Sequence, residues 1–358
     1  MIRACPDCLS RSWLLGRLAG HLEQVRAQIG PLLALDDDEL IAAVGGRERP
    51  TIERQRADLD TQALTDAAQA AGIQVLCGCD PQFPPRLRAL EAPPAVLYVA
   101  GGLDRFHRLC QAEPVAIVGS RRASEYGIEM ARSLGRGVAA SGLTVVSGMA
   151  RGIDAAAHRG ALEAGGTLAV LPGPAERPYP PGQRALYRAI TAENVAVSEL
   201  PPGTGVRKWC FLARNRLIAG LSAMAVVVEA TARSGSLPVA ETARALHRPV
   251  GAVPGRVTSA QASGPNGLLA SGAAVIRGAQ DLLDCLYGVG VRVASADRRV
   301  TLTPEQARLL EVLGGGQAPA SALRDARIPP ERGLTILSEL ELAGWIRRGA
   351  GGSFAVVP

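Results

Sequence analysis

Pro114-Val115-Ala116-Ile117-Val118-Gly119-Ser120-Arg121-Arg122 decides the fold. Five uncharged, mostly branched residues ending on glycine read as a strand buried on both faces, because such strands form continuous apolar runs. The glycine permits a tight turn and close backbone approach to a ligand. A helix is expected from near Tyr126. The unit then repeats, with strand-like runs at 143–146, 168–171, 194–197, 225–228 and 250–253 and helical segments between most of them. Strands alternating with helices imply right-handed crossovers and a mostly parallel sheet. The expected class is therefore α/β, with a Rossmann-like core over residues 73–290 and ligands bound at the carboxyl ends of its strands.

Outward from this core the pattern changes on both sides. Leu15, Leu18, Leu22, Val25 and Ile29 make an apolar stripe at helical spacing. The acidic run Asp36-Asp37-Asp38-Glu39 suits the start of a second helix. Residues 1–72 are expected as a small helical domain of the SAM or helix-hairpin-helix kind. The proline-rich segment 83–94 reads as a connection, and residues 95–99 as a short strand. Beyond about residue 288 a loop leads to Thr303-Pro304-Glu305, a cap followed by proline at the first helical position. Helices at 304–313, 320–326 and 330–343, then a hairpin turning at Gly349-Ala350-Gly351-Gly352, predict a winged helix over 300–358.

With 47% apolar residues, the 358-residue chain can bury a large core, which argues against disorder. A net charge of +6 leans only modestly towards an anionic partner. No apolar stretch approaches the roughly 20 residues of a membrane span, and the first residues lack a signal-peptide pattern, so a cytoplasmic location is expected. Seven cysteines, an odd number, fit free thiols in a reducing compartment. Cys5 and Cys8 form a C-x-x-C and Cys77 and Cys79 a C-x-C. Together they can supply four zinc ligands, but nothing in the spacing joins two pairs 70 residues apart. Ordinary thiols are expected, and no metal. Of the 39 basic residues only Lys208 is lysine. A lone survivor can mark a site that needs a compact ammonium rather than a planar fork.

The chemistry sits in loops that follow strands. Gly119, Ser120 and Arg121 enter a helix, where free N–H groups and a bidentate donor suit phosphate. One glycine followed by Ser-Arg is not the G-x-G-x-x-G fingerprint, so no dinucleotide cofactor is expected. Ser147, Gly148 and Gly152 form a second glycine-hydroxyl loop. Asp154 is expected to brace that loop and His158, four residues on, to bond to Asp154. The segment Arg207-Lys208-Trp209-Cys210-Phe211-Leu212-Ala213-Arg214-Asn215-Arg216 interleaves cations with aromatics and carries no acid. Cations track a phosphate backbone while a ring stacks bases without reading them; either ring can instead plug the core. Ser234, Gly235 and Ser236 form a third loop of small and hydroxyl residues.

Taken in order, these loops resemble the DprA/Smf family from about residue 84 to 276. The residues that carry the resemblance are Gly119-Ser120-Arg121, Ser147 to Asp154 with His158, Tyr179-Pro180, Ser198-Glu199, Phe211 with Arg214-Asn215-Arg216, Ser234-Gly235-Ser236-Leu237 and Val253-Pro254-Gly255. The resemblance implies sequence-independent binding of single-stranded DNA and its delivery to the RecA recombinase in natural transformation. It also implies a homodimer through the Rossmann-like domain and no catalytic activity. The family's groove uses positions that fall here on Arg121, Lys208 and Phe211. The chain departs from the family pattern at Pro172 to Glu176, at Val239 in place of threonine and at His247 in place of glycine.

Two other classes compete. A nucleotide-processing hydrolase of the lysine-decarboxylase-like (LOG) type shares glycine-rich strand ends but uses P-G-G-x-G-T, where this chain has Arg233-Ser234-Gly235-Ser236. A transcription factor would read DNA through the C-terminal domain, yet residues 301–358 carry six Arg against six acids, and the third helix bears Glu331, Glu339 and Glu341 against Arg332. A helix meant for the major groove is normally basic, so that domain is expected to contact protein. With every binding loop between them, residues 75–290 are expected to bind DNA alone.

Overall fold

The computed structural model describes residues 4–294, 302–349 and 352–357. The N-terminal Met1-Ile2-Arg3 and two residues of the expected wing turn, Ala350 and Gly351, lie outside them. The chain divides into two compact units, residues 1–294 and 295–358.

The first unit is built on nine strands: β1 (Gln74–Cys77), β2 (Val96–Ala100), β3 (Pro114–Val118), β4 (Thr144–Ser147), β5 (Thr167–Val170), β6 (Val195–Ser198), β7 (Met224–Val227), β8 (Val250–Ala252) and β9 (Ala274–Val275). They lie in the order β1-β2-β6-β5-β4-β3-β7-β8-β9. From β6 to β9 all neighbours are parallel. β2 joins β6 antiparallel, and β1 joins β2 antiparallel. The expected mostly parallel α/β sheet is present, extended by two short strands, β1 and β9, that sequence patterning missed.

β3 shows why the apolar run reads as it does. Ala116 and Val118 point into one core, with Leu217 and Ile218 of the helix Lys208–Leu221. Val115 and Ile117 point into the other, with Met130, Leu134 and Val138 of the helix Glu125–Ala140. Helices therefore cover both faces, and alternation has no solvent face to report. The chain crosses from β3 to β4 on one side, and β7 lies on the other. This reversal leaves a crevice at the carboxyl ends of β3 and β7, the usual ligand position in doubly wound sheets.

The N-terminal helices are short: Pro6–Arg17, Ala19–Gln24, Ile29–Ala34, Asp37–Val44, Arg49–Ala57 and Thr61–Ala70. Asp36 caps the fourth, accepting from the Glu39 amide at 2.8 Å while Glu39 returns the bond. Their apolar face does not close on itself. Leu14, Leu18 and Leu22 share a buried cluster with Trp209, Cys210 and Ala213 of the helix Lys208–Leu221. The Trp209 indole N–H donates to the Ala19 carbonyl at 3.0 Å. A fragment of residues 75–290 would uncover that cluster; the compact unit comprises residues 1–294.

The second unit contains the helices Pro304–Gly314, Pro319–Asp325 and Pro330–Leu342, then β10 (Ile346–Arg348) paired antiparallel with β11 (Phe354–Val356). Thr303 caps the first helix in a reciprocal box with Gln306. Among the described residues, no helix is long and apolar enough to cross a membrane.

Candidate nucleic-acid interface

The crevice is a cleft of about 730 Å³ whose lining includes Gly119, Ser120, Arg121, Phe211, Arg214, Asn215, Ser234, Gly235 and Ser236. Three loops and one helix far apart in sequence meet there. The loop after β3 supplies Arg121, which is exposed. Its guanidinium carbon lies 4.8 Å from the centroid of the Phe211 ring. Tyr179 meets the same ring edge-on at 5.3 Å. The cation lies over the ring, and an arginine plane can stack as well as pair.

The β3 loop is held by its surroundings. The Ser120 amide donates to the Glu229 carbonyl and the Ile153 amide donates to the Ser120 carbonyl. The Glu229 carboxylate accepts from the Ser124 amide at 2.8 Å and its hydroxyl at 2.6 Å. Ser124 in turn caps the helix Glu125–Ala140. The Asn215 side-chain amide donates to the Gly235 carbonyl at 2.8 Å, fixing the serine loop to the helix Lys208–Leu221.

Arg214 is buried at the floor, and its Nη1 donates to the Val170 carbonyl at 3.2 Å. Its buried Nε has no hydrogen-bond partner among the described residues. Burial, opposed by Asp154 and aided by the Arg121 charge, holds the guanidinium down to about 10. Burial likewise pushes the Asp154 carboxyl above its usual range, against the pull of Arg214 and neighbouring backbone N–H groups.

Asp154 braces the second loop as expected, accepting from the Gly148 amide at 3.2 Å. His158 does not bond to Asp154: its Nδ1 meets the Thr167 hydroxyl at 2.7 Å. Burial holds the imidazole down to about 3, so it is neutral at pH 7.

Several expected binding residues lie elsewhere. Ser147 is buried and donates to the Ile117 carbonyl at 2.6 Å. Gly148 packs under Arg214: a Cβ there would fall 1.3 Å from Nη1. Gly152, at φ 82°, packs against the β3 loop, and a Cβ would meet the Ser120 carbonyl at 2.2 Å. These three shape the cleft from behind. Arg216 forms a two-pronged ion pair with Glu199, at 2.8 and 2.6 Å, and also donates to the Ala92 carbonyl. It joins the helix to the chain's earlier part and is absent from the lining. Trp209 is fully buried, so of the two interleaved rings only Phe211 is at the cleft.

Lys208 and Phe211 occupy the first turns of the helix Lys208–Leu221; they are three apart and share a face. Lys208 is exposed and lies outside the lining proper. Sequence reasoning missed Tyr179, Thr231 and Gln261 as site residues. Tyr179 had a signal, since it stood among the residues carrying the family resemblance. The His247 departure also has an explanation. It adopts φ 56°, a left-handed conformation that glycine takes freely.

Comparison with known proteins shows the family. Residues 74–287 match the family model described as DNA recombination-mediator protein A. A putative DNA processing protein DprA from Mycobacterium tuberculosis is 38% identical over 370 residues, covering 94% of this chain and 92% of that protein. The X-ray structure of DprA from Streptococcus pneumoniae superposes with a TM-score of 0.63 at 29% identity, over 79% of this chain and 98% of that one. DNA processing protein A from Helicobacter pylori, whose structure was described for its single-stranded DNA binding mode, gives 0.52 at 30% identity, over 60% and 96%. The chain belongs to the DNA recombination-mediator protein A family, the DprA/Smf proteins.

Proposed function

We propose that this protein binds single-stranded DNA in the cleft between β3 and β7 without reading its sequence, protects it, and delivers it to the RecA recombinase. Family membership places the chain among DNA-binding recombination mediators rather than enzymes. The observation that carries the cleft assignment is the stacking of Arg121 on Phe211 at 4.8 Å. Phosphates would pair with Arg121 and Lys208, and a base would stack on the ring or on the guanidinium plane. Gly119, Ser120, Ser234, Gly235 and Ser236 would offer backbone and hydroxyl donors, and Arg214 and Asn215 would fix the floor. Paired bases cannot stack on a protein ring without first unstacking, at a cost of a few kcal/mol per step, so this site favours single strands.

The unit of residues 1–294 would hold the whole DNA site. We read its sheet as the family's Rossmann-like core, its N-terminal helices as SAM or helix-hairpin-helix-like, and the second unit as a winged helix that contacts protein. In that second unit Arg332 is paired with Glu305, and Arg348 with Glu341. The protein would act in the cytoplasm as a homodimer joined through the core unit. Filter binding to single-stranded and duplex oligonucleotides of equal length over a salt series tests the reading. Tighter single-strand binding is expected; equal or tighter duplex binding would overturn it. Release of free ribosyl phosphate from a nucleotide would instead favour the hydrolase reading.

A further inference from the structure

We propose that Cys5, Cys8, Cys77 and Cys79 bind a structural zinc ion that fastens the first helix to the edge of the sheet. Their four sulfur atoms lie within 4.8 Å of one another, although the two pairs stand about 70 residues apart in sequence. The Cys79 sulfur is 3.9 Å from that of Cys5 and 3.7 Å from that of Cys8. Four thiolates at Zn–S bonds of about 2.3 Å in a tetrahedron stand roughly 3.8 Å apart. Those separations are nearly twice a disulfide bond. All seven cysteines of the chain are free.

The backbone presents each pair in advance. Cys5 is the cap residue of the helix Pro6–Arg17, and Cys8 lies in its first turn, with the Leu9 amide donating to the Cys5 carbonyl at 3.1 Å. Cys77 ends β1, and Cys79 follows in a turn closed by the Asp80 amide on the Cys77 carbonyl at 3.0 Å. Cys77 is buried, Cys79 exposed and the other two half-buried, so an ion could enter from solvent and then be closed in. The site contains no histidine or carboxylate and offers four ligands. Four sulfurs in a tetrahedron suit a closed structural site and a soft or borderline ion, not magnesium or calcium.

The ion would join the two ends of the segment 9–76, six helices and the start of β1. That segment helps cover Trp209, so the metal would act on stability and stay outside the DNA cleft. The test uses the full chain, expressed with zinc and purified with a reductant. About one equivalent of zinc is expected by elemental analysis, and a cobalt-substituted sample should show the absorption of a tetrahedral thiolate site. Stripping the metal with a mercurial and chelator, followed by thiol reductant, should lower the melting temperature, and added zinc should restore it. The double variant Cys5→Ser/Cys79→Ser should lose the metal yet fold: serine is a favoured helix cap, and Cys79 is exposed. The double variant Cys110→Ser/Cys285→Ser should keep it. Wild-type protein with under roughly a tenth of an equivalent, in place of the single ion four thiolates would hold, overturns the proposal. So does a full complement of zinc in Cys5→Ser/Cys79→Ser.

Discussion

Gly152→Ala would separate residues that touch DNA from residues that shape the cleft. Gly152 sits at φ 82° and ψ −128°, a conformation essentially reserved for glycine. A side chain is unwelcome there for a second reason. Its Cβ would lie 2.2 Å from the Ser120 carbonyl oxygen and about 3 Å from Arg121 backbone atoms. The backbone term costs about 1–3 kcal/mol, and displacing a packed loop costs a similar amount. Together they approach about 2–6 kcal/mol, a large share of the roughly 5–15 kcal/mol that holds a typical domain. The least costly relief is to push Ser120 and Arg121 away, which lifts the guanidinium off Phe211. Urea unfolding should therefore show a lower midpoint. Anisotropy titration with a labelled single strand should show an affinity loss at least as large as that of Arg121→Ala, although Gly152 is not in the lining. A variant with wild-type midpoint and wild-type affinity would refute both the packing argument and the role given to the β3 loop.

Other expectations follow from the same geometry. Arg121→Ala should remove about one unit from the salt slope of single-strand binding, whereas Phe211→Ala should cost about 1–3 kcal/mol with the slope nearly unchanged; the reverse pattern would exchange their roles. His158 is held down to about 3 from 6.5 by burial, so the unfolded chain takes up the proton first. Its contribution to stability is therefore full above pH 6.5 and lost as pH falls towards 3, about 2 kcal/mol of it by pH 5. Asp154, shifted the other way, partly offsets this. The measurement is thus the difference in melting between wild type and His158→Gln from pH 7 to 5, and parallel curves would count against a neutral buried imidazole. A chain ending at residue 294 should melt cooperatively and bind single strands like the full chain. One beginning at residue 75 should melt well below it, because Trp209 loses its cover; equal melting would mean the N-terminal helices add nothing to the core.

The core strands were legible because strands buried on both faces are mostly apolar, and β3 to β8 are, with the polar Thr144, Ser147, Thr167 and Ser198 only at strand ends. β1 and β9 were not, since β1 opens on the exposed Gln74 and β9 has only two residues. The cleft loops were legible as glycine-hydroxyl turns at strand ends, but which of their residues face the cleft depends on packing. Gly148 and Gly152 are small because Arg214 and the Ser120 carbonyl crowd them. Arg216 has the composition of a phosphate ligand and is instead occupied by Glu199. In the alternation of cations and rings, nothing told Trp209 from Phe211. That difference is set by where the Leu14–Leu18–Leu22 stripe docks, a tertiary fact. The convergence of Cys5 and Cys8 with Cys77 and Cys79 is of the same kind.

Lys208 has one further consequence, for chemistry done on the protein. In a chain with 38 arginines it is the sole lysine, and it stands exposed in the first turn of the helix that carries Phe211. Amine-directed reagents therefore have one side-chain target, any N-terminal amine aside. Acylation of that position gives a footprint read at a single peptide, and an amine-reactive dye attaches at one known point beside the cleft. Bulk lysine crosslinking, by the same token, will join this protein to its partners through one residue or hardly at all.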